Sequence, residues 1–279
     1  MTIKIIFAIA VLLLFALLMV FFYRRKESRQ YDEIRRLLQR PPGNEIFNEQ
    51  MVAGLPDVVR RYFLHAIEPG TPLANSVSLK MSGAFRLKPD GDWLPMTGDE
   101  TLNLPKGFIW RAKIGTGLMS FSGADYYLAG GGRMKFGLWG IIPVASATGR
   151  DTARSAIGRF VAEAFWLPSA LLPQRGVKWE AIDDESARAI VNVDDEVINI
   201  NFRIAPDGRL RQIRLARWGD KTIDGNYGYA PFGGEITDER RFAGYIIPAE
   251  VGAGWWFGTD QYFEFFRAKI EEAAFDPSR

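Results

Sequence analysis

The sequence predicts an α+β protein: a strongly bent, half-barrel-like antiparallel sheet covered by helices and preceded by one N-terminal transmembrane helix. Three observations carry the prediction. An apolar run from Ile3 to Tyr23 is broken only by Lys4. From Val77 onward the hydrophobic period changes from 3.6 to 2, and a Pro-Asp-Gly turn occurs at Pro89, Asp90 and Gly91 and again at Pro206, Asp207 and Gly208, the residues of tight hairpins. Between these hairpins, Arg159 to Ile182 reads as a helix with both faces covered, ending in a proline-bracketed turn that leads back into strands.

At 1.5 Å per residue the first run spans roughly 30 Å, the thickness of a bilayer core. It ends in Arg24, Arg25 and Lys26 and not in a small-residue cleavage site, which favours an uncleaved anchor over a signal peptide. Residues 1–26 are thus expected to be an anchor with a basic flank. Residues 27–43 are expected to form a helical stalk with Tyr31, Ile34, Leu37 and Leu38 on one face, closed by a Pro41-Pro42-Gly43 hinge. Residues 44–279 follow as a single α+β domain.

Within that domain a helix starts near Pro56, with Val58, Val59, Tyr62, Phe63 and Ile67 apolar, and stops at Glu68-Pro69-Gly70. Alternating strands begin at Val77 and recur at 108–114, 125–128, 177–182, 187–193, 198–204, 210–218 and 265–270. On the central helix Ile157, Phe160, Val161, Ala164 and Phe165 share one face. Ser155, Arg159, Glu163 and the large apolar Trp166 fall on the other, so that side is covered as well.

Composition narrows the chemistry. Hydrophobic residues make up 47% of the 279, enough for a proper core. The formal net charge is +2, but residues 1–40 carry +5 and the remainder −3, so the basic character lies beside the membrane and nucleic-acid binding loses its electrostatic support. With no cysteine and one histidine, disulfides, thiolate catalysis, Cys-ligated zinc and two-histidine metal sites are excluded. No cofactor is expected.

The motifs are structural. Gly130-Gly131-Gly132 lacks the following Lys-Ser/Thr of a phosphate loop and reads as strand, glycine kink, strand. The acidic clusters 183–185 and 194–196 read as solvated turns. Arg159 and Glu163 stand in the less favourable i,i+4 order for surface pairing. A half-buried bidentate bond is therefore expected, fixing the helix to the sheet or meeting a polar head group. Trp110 and Trp179 are expected as core or cavity wall. Arg61 faces away from the apolar side of its helix, and His65 is expected to be partly buried and hydrogen-bonded.

The blocks LPDVVRRYFLHAIEPGTPL (Leu55 to Leu73), LPKGFIWRAKI (Leu104 to Ile114), RFVAEAFWLPSALLPQRGVKWEAIDDESARAIV (Arg159 to Val191) and Gly244 to Pro248 together resemble an uncharacterised bacterial family of membrane-anchored domains of unknown function. More loosely, paired strands with a helix laid across them resemble the half-barrel of periplasmic lipoprotein carriers, a likeness of fold that does not establish function. The resemblance implies a single-pass protein of the bacterial inner membrane. The charge rule favours a cytoplasmic body, and the fold likeness favours one outside the cytoplasm.

The expected function is non-enzymatic binding of a hydrophobic or lipid-like ligand between sheet and helix, with Arg159, Glu163, Trp166, Trp179, Trp110 and Arg61 as candidate contacts. A scaffolding protein that binds a partner protein through an exposed apolar patch around Trp255-Trp256-Phe257 is the alternative. A hydrolase using His65 with Arg61 or Glu163 is the weaker one.

Overall fold

A computed structural model describes residues 2–39 and 43–276; Pro41 and Pro42 of the expected hinge lie outside them. Three helices, α1 (Thr2–Leu38), α2 (Asp57–Ala66) and α3 (Arg150–Ala162), accompany thirteen strands. The first six are β1 (Val77–Phe85), β2 (Leu94–Asn103), β3 (Gly107–Ile114), β4 (Phe121–Leu128), β5 (Gly131–Leu138) and β6 (Ile142–Thr148). The others are β7 (Lys178–Ala181), β8 (Ser186–Val193), β9 (Glu196–Ile204), β10 (Leu210–Gly219), β11 (Gly228–Phe242), β12 (Tyr245–Trp255) and β13 (Phe263–Phe275).

All thirteen strands form one open antiparallel sheet in the order β6-β5-β4-β3-β2-β1-β13-β12-β11-β10-β9-β8-β7. The order describes two meanders. One runs outward from β1 to the β6 edge, the other inward from the β7 edge to β13, and β13 closes on β1 at the centre. The link from β6 to β7 must therefore reach from one edge to the other. Because strand twist accumulates across a sheet this wide, the shortest route lies over the concave side, and α3 occupies it. The expected α+β fold with a curved sheet is present.

Helix α3 begins upstream of the expected central helix and ends at Ala162; Glu163–Trp166, Pro168–Leu171 and Pro173–Arg175 follow as short 3₁₀ turns. Pro168 and Pro173 each open one of these turns, where their missing N–H costs nothing. Helix α2 covers another part of the concave face, burying Val58, Val59, Tyr62, Phe63 and Ala66. Gly208, at φ +89°, lets the β9–β10 hairpin tip lie against the Arg61 carbonyl and His65, where a Cβ would collide.

The stalk is not free. Helix α1 runs unbroken through the expected 26/27 boundary and lies on the convex face, where Tyr31, Ile34 and Leu38 pack on Ile109 and Ala124. Glu27 pairs with Lys135 at 2.5 Å and Arg133 at 3.7 Å, and Asp32 with Arg111 at 3.0 Å. The Asn103 amide donates to the Leu38 carbonyl at 2.7 Å. Leu37, expected among the packed residues, is 51% exposed, because six steps of 100° from Tyr31 carry it off the contact line. With α1 outside and α3 inside, β3 is covered on both faces: Phe108 and Trp110 point inward while Ile109 points to α1. Among the described residues, α1 contains the one stretch long and apolar enough to cross a membrane.

The apolar patch expected at Trp255-Trp256-Phe257 is not at the surface. Trp255 is buried and the next two residues half-buried, since the Trp255 ring packs edge-on against Phe232 at 5.2 Å.

Candidate ligand-binding cavity

Strand register assembles the site. Glu100 on β2 stands opposite Trp110 on β3, and Trp110 opposite Asp125 on β4, so the three side chains form a row across the concave face. Arg159 descends onto this row from α3. Its Nη1 donates to Asp125 at 2.8 Å and its Nε to Glu163 at 2.9 Å, while its guanidinium lies 4.6 Å from the Trp110 ring centre and 5.1 Å from that of Phe108. The expected bidentate bond to one carboxylate is thus replaced by a bridge between two, one on the helix side and one on the sheet. Burial works against the Arg159 charge, but Glu163 and Asp125 outweigh it and hold the pKa above the ordinary arginine value.

Glu100 was not singled out by sequence reasoning, yet it is fully buried and both its oxygens lack a partner among the described residues. Burial first, then the negative charge of Glu163, push its pKa well above the usual carboxylate range. Burial thus favours its neutral form, which can donate towards Glu163, whose Oε2 is also unpartnered among the described residues.

Arg217 on β10 was likewise missed. It is 8% exposed, its Nε donates to the Ser155 carbonyl at 3.2 Å, and its guanidinium lies 4.7 Å from the ring centre of Phe232 and 4.9 Å from that of Trp255. Among the described residues it forms no ion pair. Burial, then repulsion from Arg159, lower its pKa to about 10, which leaves it charged at neutral pH.

Trp110, Asp125, Arg159, Glu163 and Arg217 border a cavity of about 550 Å³ whose walls are mostly apolar, with Ile114, Phe121, Phe136, Phe165, Ile213 and Phe266 among them, while Glu100 lies behind the wall. Its mouth carries the exposed Leu87, Val144 and Tyr227. Of the residues singled out from sequence, Trp110, Arg159, Glu163 and Trp166 meet on this cavity. Trp166 is fully buried and its indole donates to the Pro248 carbonyl at 3.0 Å.

Trp179 and Arg61 lie elsewhere. Trp179 packs under α2 against Tyr62, Phe63 and Phe202, and its indole donates to the Leu171 carbonyl at 2.9 Å. Arg61 clamps two turns through the carbonyls of Asp184, Ile204 and Ala205. His65 is held by Glu239 at 2.7 Å, and the second Glu239 oxygen accepts from the Leu210 amide at 3.0 Å. Its acidic partner is thus Glu239 rather than Glu163, and the Arg61 hydrogen bonds go to those turns. Among the described residues, no group of three His, Asp or Glu is placed to hold a metal ion.

A curved antiparallel sheet enclosing an apolar chamber beneath a crossing helix is the structural class these features define. The chain belongs to a family of unknown function, DUF6920, whose model matches residues 53–275. It is similar over 78% of its length to a LolA superfamily protein from Nitrosomonas europaea, 91% of which is covered, at a TM-score of 0.43 and 10% identity. It is also similar over 78% of its length to a DUF1329 family protein from Desulfovibrio piger, 90% of which is covered, at a TM-score of 0.34 and 12% identity. Both likenesses are distant. Comparison with curated proteins finds no match.

Proposed function

We propose that this protein is a membrane-anchored, non-enzymatic binding protein for an amphiphile with an acidic head group. In this reading the apolar part of α1 spans the membrane, residues 44–279 act as one domain, the ligand's tail fills the chamber and its head meets Arg217. One observation carries it: a chamber of about 550 Å³, mostly apolar, holds a buried arginine, Arg217, that forms no ion pair among the described residues. The volume is that of a small-molecule site, and a buried charge is normally paired. An acidic head supplies the missing partner in a charge-assisted hydrogen bond. Arg159, Glu163, Trp110 and Trp166 form the adjoining wall and hold its shape.

Native mass spectrometry of the full chain released from mild detergent tests this. The expected spectrum shows one bound acidic amphiphile, reduced at least about tenfold in affinity by Arg217→Gln and excluded by Ala145→Trp, which places a large ring in the chamber. An empty wild-type chain, or equal loading in all three proteins, would contradict the proposal. The basic flank at Arg24 to Lys26 supports a cytoplasmic body by the charge rule, against the fold likeness, which favours the other side. Because the chain has no native cysteine, Asp207→Cys with a membrane-impermeant maleimide reads the side directly: labelling is expected only after lysis, and labelling of intact cells reverses the assignment.

A further inference from the structure

The apolar stretch of α1 gives way to basic residues at Arg24, and there the helix meets the body. The Arg24 guanidinium donates to the Trp139 carbonyl. Trp139 opens the β5–β6 turn, its indole donates to the Gly117 carbonyl at 3.3 Å, and its amide donates to the Ser120 carbonyl at 2.7 Å. The β3–β4 and β5–β6 turns are thereby tied to each other and to the helix at one level along its axis.

These two turns and the strand that follows them carry Leu118 (80% exposed), Met119, Trp139, Ile141, Ile142 and Val144, all with large apolar side chains in the open. A contiguous apolar patch of this kind marks an interaction surface. Two features say what covers it. The patch adjoins the point where a helix long enough to cross a bilayer changes from apolar to charged, and the exposed Arg25, Lys26 and Arg29 beside it match anionic head groups. The patch is also continuous with the chamber, since Val144 and Phe121, the residue after this first turn, belong to the chamber wall.

We infer that this lip is seated in the interfacial layer of the bilayer, so that the chamber opens to the membrane and not to bulk water. The inference rests on the anchor reading above and goes beyond it. A helix on a free stalk would hold the body at a distance, whereas the docking of α1 on the convex face fixes the lip against the lipid surface. The ligand then moves between bilayer and chamber without its tail crossing water.

Single-cysteine spin labels test this in the full chain reconstituted into liposomes containing anionic phospholipid. Labels go at Leu118→Cys and Ile142→Cys on the lip, at Leu14→Cys in the helix, and at Ile182→Cys, an exposed apolar position (48%) just after β7. The measurement is collision with oxygen, which partitions into lipid, relative to a water-soluble nickel chelate. Both lip labels are expected to show an oxygen-to-nickel ratio several-fold above that of the Ile182 label and below that of the Leu14 label. If the Leu14 label lies in lipid while both lip labels match Ile182, the lip inference is overturned and the anchor stands. If the Leu14 label itself matches Ile182, the anchor reading falls and takes the lip with it.

Discussion

Helices α2 and α3 lie on the same concave face, but they rest on different undersides. Beneath α2 the space is filled: Phe63 meets Trp179 edge-on at 5.7 Å, and Tyr62 and Trp179 both pack against Phe202, at 5.7 and 5.1 Å. Beneath α3 there are two arginines, three carboxyl groups and a chamber. The first arrangement maximises burial and dispersion. The second costs stability, through charges taken out of water and space left without atoms. Departures from good packing that persist beside a well-packed neighbour point to function. Under the proposed function, the difference predicts a stabilising role for the α2 end and a binding role for the α3 end.

The largest expected effects test that division directly. Phe63→Ala should destabilise the protein by about 3–5 kcal/mol in urea unfolding, as large-to-small core changes do, while the ligand load per folded molecule stays unchanged. A cost below about 1 kcal/mol would show that the α2 end is not the tightly packed one. Arg159→Met should cost a similar amount, about 3–5 kcal/mol, because it strands Asp125 and Glu163 without their cation, but here ligand loading should fall as well. Equal ligand loss in both variants would erase the distinction between the two ends.

Glu100→Gln comes next and has the opposite sign. The folded state raises the Glu100 pKa above the ordinary 4.5 of the unfolded chain. Between that value and its raised folded pKa the folded state binds the extra proton, so wild-type stability falls as pH rises, by about 1.4 kcal/mol per pH unit across the window. The glutamine variant lacks this loss. It should be indistinguishable from wild type near pH 4 and more stable at pH 8, and parallel stability curves from pH 4 to 8 would mean that Glu100 is not held neutral. The smallest stability effect belongs to Arg217→Gln, within about 0.5 kcal/mol or slightly stabilising, since no ion pair is broken. Thermal unfolding should thus leave this variant near wild type while its binding is weakened. A large destabilisation would make Arg217 part of the scaffold.

Much of this architecture is legible in the sequence. The Pro-Asp-Gly turns place β1, β2, β9 and β10, and the apolar periodicity of residues 57–67 places α2. The glycine-rich β11 and β12 are harder to read, because Gly233, Gly234, Gly252 and Gly254 remove the side chains that would mark alternation. Strand β6 is obscured for another reason: Ile142 and Val144 are exposed on an edge strand, where burial does not impose a pattern.

Of the site, Arg159, Glu163, Trp166 and Trp110 are legible because a large aromatic on the polar side of a helix and tryptophans on strands demand cover. Glu100 and Arg217 carry a usable signal as well. Each is a charge at an inward position of an alternating strand, between Met96 and Leu102 in one case and after Ile213 and Leu215 in the other. Trp179 and Arg61 mislead because sequence spacing alone does not say which end of a wide sheet a residue serves.

The pairing of β1 with β13 has a consequence for how the chain is made. Val77 pairs with Phe275, so the centre of the sheet closes only once synthesis has passed residue 275. Until then β1 presents a bare edge, and the loop to be closed runs from residue 77 to residue 275, conditions that slow folding and expose unpaired strand to aggregation. The first meander has an early partner in α1, which precedes it from the ribosome and covers its outer face. The last thirteen-residue strand therefore acts as the late, committing step of biogenesis, and a nascent chain that stops short of it has two unfinished half-sheets rather than a smaller version of the protein.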